Sequence, residues 1–300
     1  MSKIKNTKLE KILQEKKIIF TNYQEIPSFI LKNLKNNINF YEYKQKQIKL
    51  DTPRYKFLIK NIKIPKNVLE IGSNIGFFIL NLSYYYKCKT IGFEPIKKYS
   101  NLTNEFAKLN KIQKIIKSNP KPINIKNIKN LPKSDLIIEL NVLHHAGNYF
   151  DNEAVKKLGG WRNYAKKRLQ LLRNKTSKLF FQTGNSGKET LFPSEKSVEF
   201  ISELLEESGW KIKAFGTINN LDKLKYNKGN LKDKSSYSNY ECKRNKKLVL
   251  YKKNNKFVKS MITGMAARPL WICEKSFGLW GRDLGQVVPN LGRCLVWRCC

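Results

Sequence analysis

Two carboxylates, a glycine-hinged turn and a pair of adjacent histidines carry the chemical interest of this 300-residue chain. The first group is Glu70-Ile71-Gly72-Ser73-Asn74-Ile75-Gly76, which follows the apolar Val68-Leu69 and leads into the apolar run Phe77-Phe78-Ile79-Leu80. Gly72 suits a turn that a Cβ would obstruct, and Asn74 is the residue type that best replaces glycine at positive φ. Glu94 lies eighteen residues beyond Gly76, at the end of Lys89-Thr90-Ile91-Gly92-Phe93 and before Pro95. A carboxylate at such a strand end can accept two hydrogen bonds from vicinal sugar hydroxyls. Further on, Asp135 to Leu140 runs into Asn141-Val142-Leu143-His144-His145, which holds the only two histidines of the chain. Histidine titrates near neutrality and is suited to removing a proton from an acceptor hydroxyl or amine.

These groups need a scaffold that collects strand ends. Residues 65–116 read as strand, helix, strand, helix, strand; 135–183 as strand, long helix, strand; and 194–216 as helix and strand. Lys246 to Lys252 predicts a last strand after a loop over 217–245. Strands alternating with helices predict a parallel sheet covered on both faces, with ligands bound outside the strand ends. Two cofactors use the turn at its first crossover. A dinucleotide fingerprint would need glycine at positions 74 and 77, where the chain has Asn74 and Phe77. S-adenosyl-L-methionine has no pyrophosphate to cradle and fits the looser acid-x-Gly-x-x-x-Gly turn followed by Glu94.

Val68 to Asn110 resembles the class I S-adenosylmethionine-dependent methyltransferases. The segments Glu70–Gly76 and Gly92–Pro95 are similar to the FkbM type in particular. The resemblance departs from that type at the fourth strand, where Ser134 to His145 is closer to the general small-molecule methyltransferases. It implies a doubly wound, mostly parallel seven-stranded α/β sheet, the Rossmann-like methyltransferase fold. It also implies that Glu70, Gly72, Asn74, Gly76 and Glu94 surround the cofactor. Beside these, Ser73 belongs to the turn, Asn119 is the candidate near the adenine, and Asn141 is the candidate near the methionine end or the acceptor. His144 and His145 are the candidate bases, His144 the favoured one as nearer the strand end, and Arg54 is a candidate for the cofactor carboxylate. Of the helix cations Arg162, Arg168 and Arg173, the ordinary reading is a solvated face.

The domain reading is a helical cap over 1–50, a methyltransferase domain over 51–259 and an atypical tail over 260–300 outside the catalytic fold. The tail rests on composition: residues 261–300 hold one lysine, Lys275, but four of the six cysteines and three of the five tryptophans. The formal charge of +36 is discounted as a sign of nucleic acid, because only nine of the 59 basic residues are arginine and the lysines are scattered. An RNA methyltransferase, or a non-catalytic cofactor-binding protein, is therefore the less favoured alternative to a small-molecule or glycan methyltransferase. Base methylation in DNA is argued down by the absence of an Asn/Asp-Pro-Pro-aromatic segment after the fourth strand and of any Pro-Cys pair. No cysteine pair has metal-ligand spacing. No apolar run approaches about 18 residues, and the N-terminal residues lack an apolar core before a cleavage site, so the expectation is a cytoplasmic protein without a membrane span.

Overall fold

The computed structural model describes residues 24–34, 50–185, 191–193, 196–218, 224–232 and 268–276. In chain order, helices α1 (Ser28–Leu34) and α2 (Asp51–Asn61) precede β1 (Asn67–Ile71). There follow α3 (Phe77–Tyr86), β2 (Lys89–Phe93), α4 (Lys97–Leu109), β3 (Ile116–Asn119) and β4 (Ser134–Leu140). Then come α5 (Asn152–Lys157), α6 (Trp161–Arg173), β5 (Thr176–Gln182), α7 (Ser197–Glu207), β6 (Trp210–Ile218), β7 (Tyr226–Lys228) and β8 (Leu270–Lys275). The strands form one sheet in the order β3-β2-β1-β4-β5-β8-β6-β7. The first five run parallel, whereas β8 is antiparallel to both β5 and β6. The strand order reverses between β1 and β4, so a crevice opens at their C-terminal ends.

The central strands β1, β4, β5 and β8 bury residues on both faces, as a sheet covered on both sides requires. Leu69, Ile137, Phe181 and Trp271 pack on one side against α6 and α7. Val68, Ile138, Phe180 and Ile272 pack on the other against α2 and α3. A third cluster joins α3 and α4 to Phe29, Ile30 and Leu34 of α1. That contact is what the described residues show of the expected helical cap. The rest of 1–50, apart from 24–34 and Leu50, lies outside them.

Three expectations are corrected. The sheet has eight strands and not seven, because Tyr226–Lys228, read as loop, pairs with β6. Residues 260–300 do not all stand outside the fold: Leu270–Lys275 is inserted between β5 and β6, with Leu270, Trp271, Ile272 and Cys273 buried. Composition reports how unlike its neighbours a segment is; an apolar run seeks a sheet position regardless. Of the three helix cations, Arg168 is fully buried and not solvated. The strand expected at 246–252 lies outside the described residues. Among the described residues, no helix is long and apolar enough to cross a membrane, and no cluster of His, Cys, Asp or Glu could hold a metal ion.

Candidate active site

The first wall of the crevice is the turn after β1. Gly72 has φ +73° and its N–H, like that of Ser73, donates to the Phe93 carbonyl at the end of β2. A Cβ on Gly72 would sit 2.4 Å from Val142 Cγ2, so the two strand-end loops touch through the space that glycine leaves. Asn74 takes the left-handed conformation (φ +49°) foreseen for it, and Gly76 (φ +81°) caps α3. Glu94 ties this turn to the next one. Its Oε2 accepts from Asn74 N–H and its Oε1 from Ile96 N–H, both at 2.9 Å. Burial raises its pKa while the two backbone donors pull it down. A carboxylate has about four lone-pair sites, so each oxygen can still accept from a hydroxyl.

A crevice of about 530 Å³ lies between these loops. Gly72, Asn74, Glu94 and Ile96 line one side, Pro122 and Ile123 the back, and Asn141, His145, Tyr149 and Phe150 the other side. Of the sequence candidates, Glu70, Ser73, Gly76, Asn119 and His144 do not line it. Asn119 turns its side chain back to the Gly92 carbonyl, at 3.5 Å, and its own carbonyl receives Glu94 N–H. Ser73 is fully buried behind the turn, its Oγ without a partner among the described residues.

Glu70 is 2% exposed, and its Oε2 has no partner among the described residues. Burial, then the charge of Asp51, pushes its pKa well above the carboxylate range, against one backbone hydrogen bond from Ile79. Arg54, also 2% exposed, donates from Nη1 to Asp51 Oδ1 at 2.9 Å, while its Nε and Nη2 have no partner among the described residues. Asp51 in turn receives Glu25 N–H, which draws the N-terminal segment against the start of α2. Unsatisfied buried groups of both signs are costly in a protein interior. Among the described residues, a carboxyl oxygen and two guanidinium donors lack a hydrogen bond in the layer that carries α2 and the turn, with the Tyr226 hydroxyl and Asp51 both acting on Arg54.

The far side is built around Asn141, which leaves β4 at φ +59°. Its N–H donates to the Gln182 carbonyl at 2.7 Å and its Nδ2 to Gln182 Oε1 at 3.2 Å. Arg268 Nη1 donates to Asn141 Oδ1 at 2.8 Å, and Gln182 Nε2 donates to the Arg268 carbonyl and the Tyr226 hydroxyl. Arg268 lies in the segment expected outside the fold; no local signal marks it, since it reaches Asn141 across 127 positions. The turn Leu143–His145 is held by Trp161 Nε1, which donates to the Leu143 carbonyl.

The two histidines differ. His144 is buried, and its Nδ1 accepts from Gly184 N–H at 3.2 Å, which leaves the proton on Nε2. Burial, then Arg268 and His145, lowers its pKa to about 2. His145 lines the crevice, 4.0 Å from the His144 ring and 5.1 Å edge-on from Tyr149, and burial and Arg268 lower its pKa too. Of the two candidate bases, His145 lines the crevice and His144, the one nearer the strand end, does not.

This has a consequence for stability. The unfolded chain protonates His144 near pH 6.5, whereas the folded protein keeps it neutral. Its contribution is whole above pH 6.5 and declines as pH falls, by about 1.4 kcal/mol per pH unit. The raised pKa of Glu70 acts with the opposite sign, since the folded state retains a proton that the unfolded carboxyl releases. Urea unfolding at pH 7 and pH 5 is expected to show His144→Asn flattening the acid-side loss by about 2 kcal/mol relative to the parent. An unchanged slope would mean that His144 is not neutral in the fold.

No protein-family profile matches the chain, and no curated protein does. Among solved structures, it is similar to the O-methyltransferase of a trans-AT polyketide synthase multienzyme of Brevibacillus brevis in complex with S-adenosyl-L-homocysteine. That match has 13% identity, 84% of this chain, 82% of that one and a TM-score of 0.47. It is also similar to the geranyl diphosphate C-methyltransferase of Streptomyces coelicolor A3(2), at 10% identity over 80% and 85% of the two chains, TM-score 0.47. The bifunctional kinase-methyltransferase WbdD aligns at 21% identity over 61% of this chain, TM-score 0.39, and the chain spans 36% of its length. Strand order, glycine turn and crevice define a doubly wound, mostly parallel α/β sheet with a crevice at its switch point.

Proposed function

We propose that the protein is an S-adenosyl-L-methionine-dependent methyltransferase that acts on an O or N atom of a small molecule or glycan. The observation that carries this reading is Glu94, a carboxylate in the crevice wall that bridges the glycine turn and the loop after β2. Its remaining lone pairs suit a ribose diol, and Ile96, Pro122 and Ile123 offer an apolar slot for a purine. No run of free amides resembling a pyrophosphate cradle is needed for this ligand. Neither Glu70 nor Arg54 lines the crevice, so the reading assigns the cofactor no contact with either and rests on the Glu94 wall. The cofactor when bound supplies a methyl group on a sulfonium, ready for direct displacement by an acceptor lone pair.

What the chain adds is placement and a proton sink. Asn141 fixes the end of β4, and His145, on the same wall, takes the acceptor's proton. Burial, then Arg268, disfavours protonation of that imidazole, and the neutral form is the one a base requires. Most of the acceleration is assigned to holding acceptor and methyl group in line.

Calorimetry with S-adenosylhomocysteine tests the cofactor, and transfer of labelled methyl groups to fractionated cell extract tests the activity. In the second assay, His145→Asn is expected to lower turnover by about 10²–10⁴-fold with S-adenosylhomocysteine affinity unchanged. Equal turnover of variant and parent would remove the base role and leave the cofactor reading standing.

A further inference from the structure

Lysines that are scattered along the sequence become a row in the fold. The five parallel strands all start at the edge of the sheet opposite the crevice. A lysine stands within two residues of every start: Lys66 before β1, Lys89 in β2, Lys114 before β3, Lys133 before β4 and Lys175 before β5. Within two residues of their other ends the same strands carry one, Lys121. Backbone bonds set neighbours side by side: Lys89 N–H donates to the Lys66 carbonyl, and Ser134 N–H to the Lys175 carbonyl. From β3 across to β4 this edge is hollowed into a groove of about 380 Å³, lined by Lys89, Lys114, Lys117 and Lys133. All four are exposed, and among the described residues none forms an ion pair and no carboxylate lines the groove. The neighbouring Asp135 is already engaged by Asn67 N–H at 2.9 Å and by Asn67 Nδ2 at 3.4 Å. Ser134 also lines the groove, and its Oγ has no hydrogen-bond partner among the described residues.

We propose that this groove is a second ligand site, remote from the crevice, which holds the phosphate chain of single-stranded RNA. It shares no lining residue with the crevice, so the proposal stands independently of the methyltransferase reading. Four unpaired cations around one groove repel one another and focus a positive potential, which an anion relieves. Three strand-to-strand steps of about 4.8 Å carry the row over about 14 Å. A stacked strand has one phosphate per about 3.4 Å of its axis, so about four phosphates meet four ammonium groups. Lysine suits this contact, because a compact charge with three donors grips phosphate without reading bases. The Ser134 hydroxyl adds a neutral donor for a phosphate oxygen. A bilayer is flat and would meet the outer rim of the sheet, whereas these side chains surround a hollow that a narrow chain can enter.

The experiment is fluorescence anisotropy of a labelled single-stranded RNA oligonucleotide, with inorganic polyphosphate as competitor in a second arm. A variant combining Lys89→Gln, Lys114→Gln, Lys117→Gln and Lys133→Gln is expected to bind the oligonucleotide about a hundredfold more weakly at 0.1 M salt. Its plot of log affinity against log salt is expected to flatten by about 3, since each phosphate contact on a single strand contributes about 0.7. A control of equal charge combines Lys56→Gln, Lys156→Gln, Lys157→Gln and Lys167→Gln, exposed positions on α2, α5 and α6. It is expected to keep the parent's slope and its affinity within about threefold. Unchanged urea midpoints show that both variants remain folded. Displacement by polyphosphate assigns the groove to a phosphate chain as such; an oligonucleotide that polyphosphate leaves bound assigns it to nucleic acid. Equal losses in the two variants overturn the proposal, because the net charge of +36 and not the groove would then be the cause. Capture on phosphatidylserine vesicles that needs the four groove lysines, with no oligonucleotide bound, overturns it in favour of a membrane surface.

Discussion

Glu94→Gln is expected to weaken S-adenosylhomocysteine binding about a hundredfold by calorimetry, while the unfolding midpoint in urea moves little. The two effects separate because the carboxylate has two duties. Toward the protein it accepts Asn74 N–H on one oxygen and Ile96 N–H on the other. Glutamine keeps one of these bonds and sets an amide NH₂ against the other donor, at a cost of about 1–3 kcal/mol. Burial already raises the pKa of Glu94, so removing its charge recovers desolvation energy that offsets much of this loss. Toward the ligand there is no such offset. A charged acceptor of two sugar hydroxyls is replaced by a neutral oxygen, and hydrogen bonds to charged groups contribute about 1.5–3 kcal/mol each. A net loss of about 2.7 kcal/mol is a factor of about 100. If the glutamine variant holds S-adenosylhomocysteine as tightly as the parent, the ligand does not rest on Glu94 and the proposed function fails with it.

Arg168→Met is expected to cost about 3–5 kcal/mol of stability in the same unfolding assay. Arg168 and Glu139 face each other through two contacts, Nε to Oε1 at 3.1 Å and Nη2 to Oε2 at 3.4 Å, with neither side chain more than 1% exposed. Methionine fills the volume and leaves an uncompensated carboxylate in the core on β4. It also frees the Ile123 carbonyl, which Arg168 Nη1 holds at 3.1 Å, and removes the cation over the Phe150 ring. Ile123 and Phe150 both line the crevice, so this core pair also sets the back of the site. Replacing both partners, as Arg168→Met with Glu139→Leu, is expected to restore most of the stability, because an apolar pair of similar volume has no desolvation cost to recover. The double variant should still bind S-adenosylhomocysteine more weakly than the parent, since the Ile123 carbonyl loses the donor that holds it. A single variant that loses less than about 1 kcal/mol would show the pair to be hydrated and the account of the loop wrong.

The site was legible in the sequence to the extent that its parts are local. Val68-Leu69 running into Glu70-Ile71-Gly72 is a buried strand that meets a turn within five residues, and φ at Gly72 and Asn74 is a property of those residue types. The same holds for Phe93-Glu94-Pro95, where a strand end, an acid and a stop are adjacent. Alternation of apolar faces and helix-length spacing likewise placed β1 to β5 and the helices between them.

The remainder was decided by tertiary structure. Glu70 is two residues from Gly72, yet the pleat turns it away from the crevice and toward α3. His144 and His145 are neighbours of one type, and only the packing of Gly184 and Tyr149 separates a buried acceptor of a backbone hydrogen bond from a ring in the crevice wall. Arg168 lies on a helix with Arg162 and Arg173, but its partner Glu139 is 29 residues away in another element. Farthest from view were β8 and Arg268, which enter the sheet from a segment unlike the rest of the chain. Residue type and short spacing determine which backbone conformations and faces are available, because those energies act between near neighbours. Which charges are paired, which groups are dry and which side chains meet a ligand depends on contacts across 20 to 130 positions, and only the folded chain brings those together.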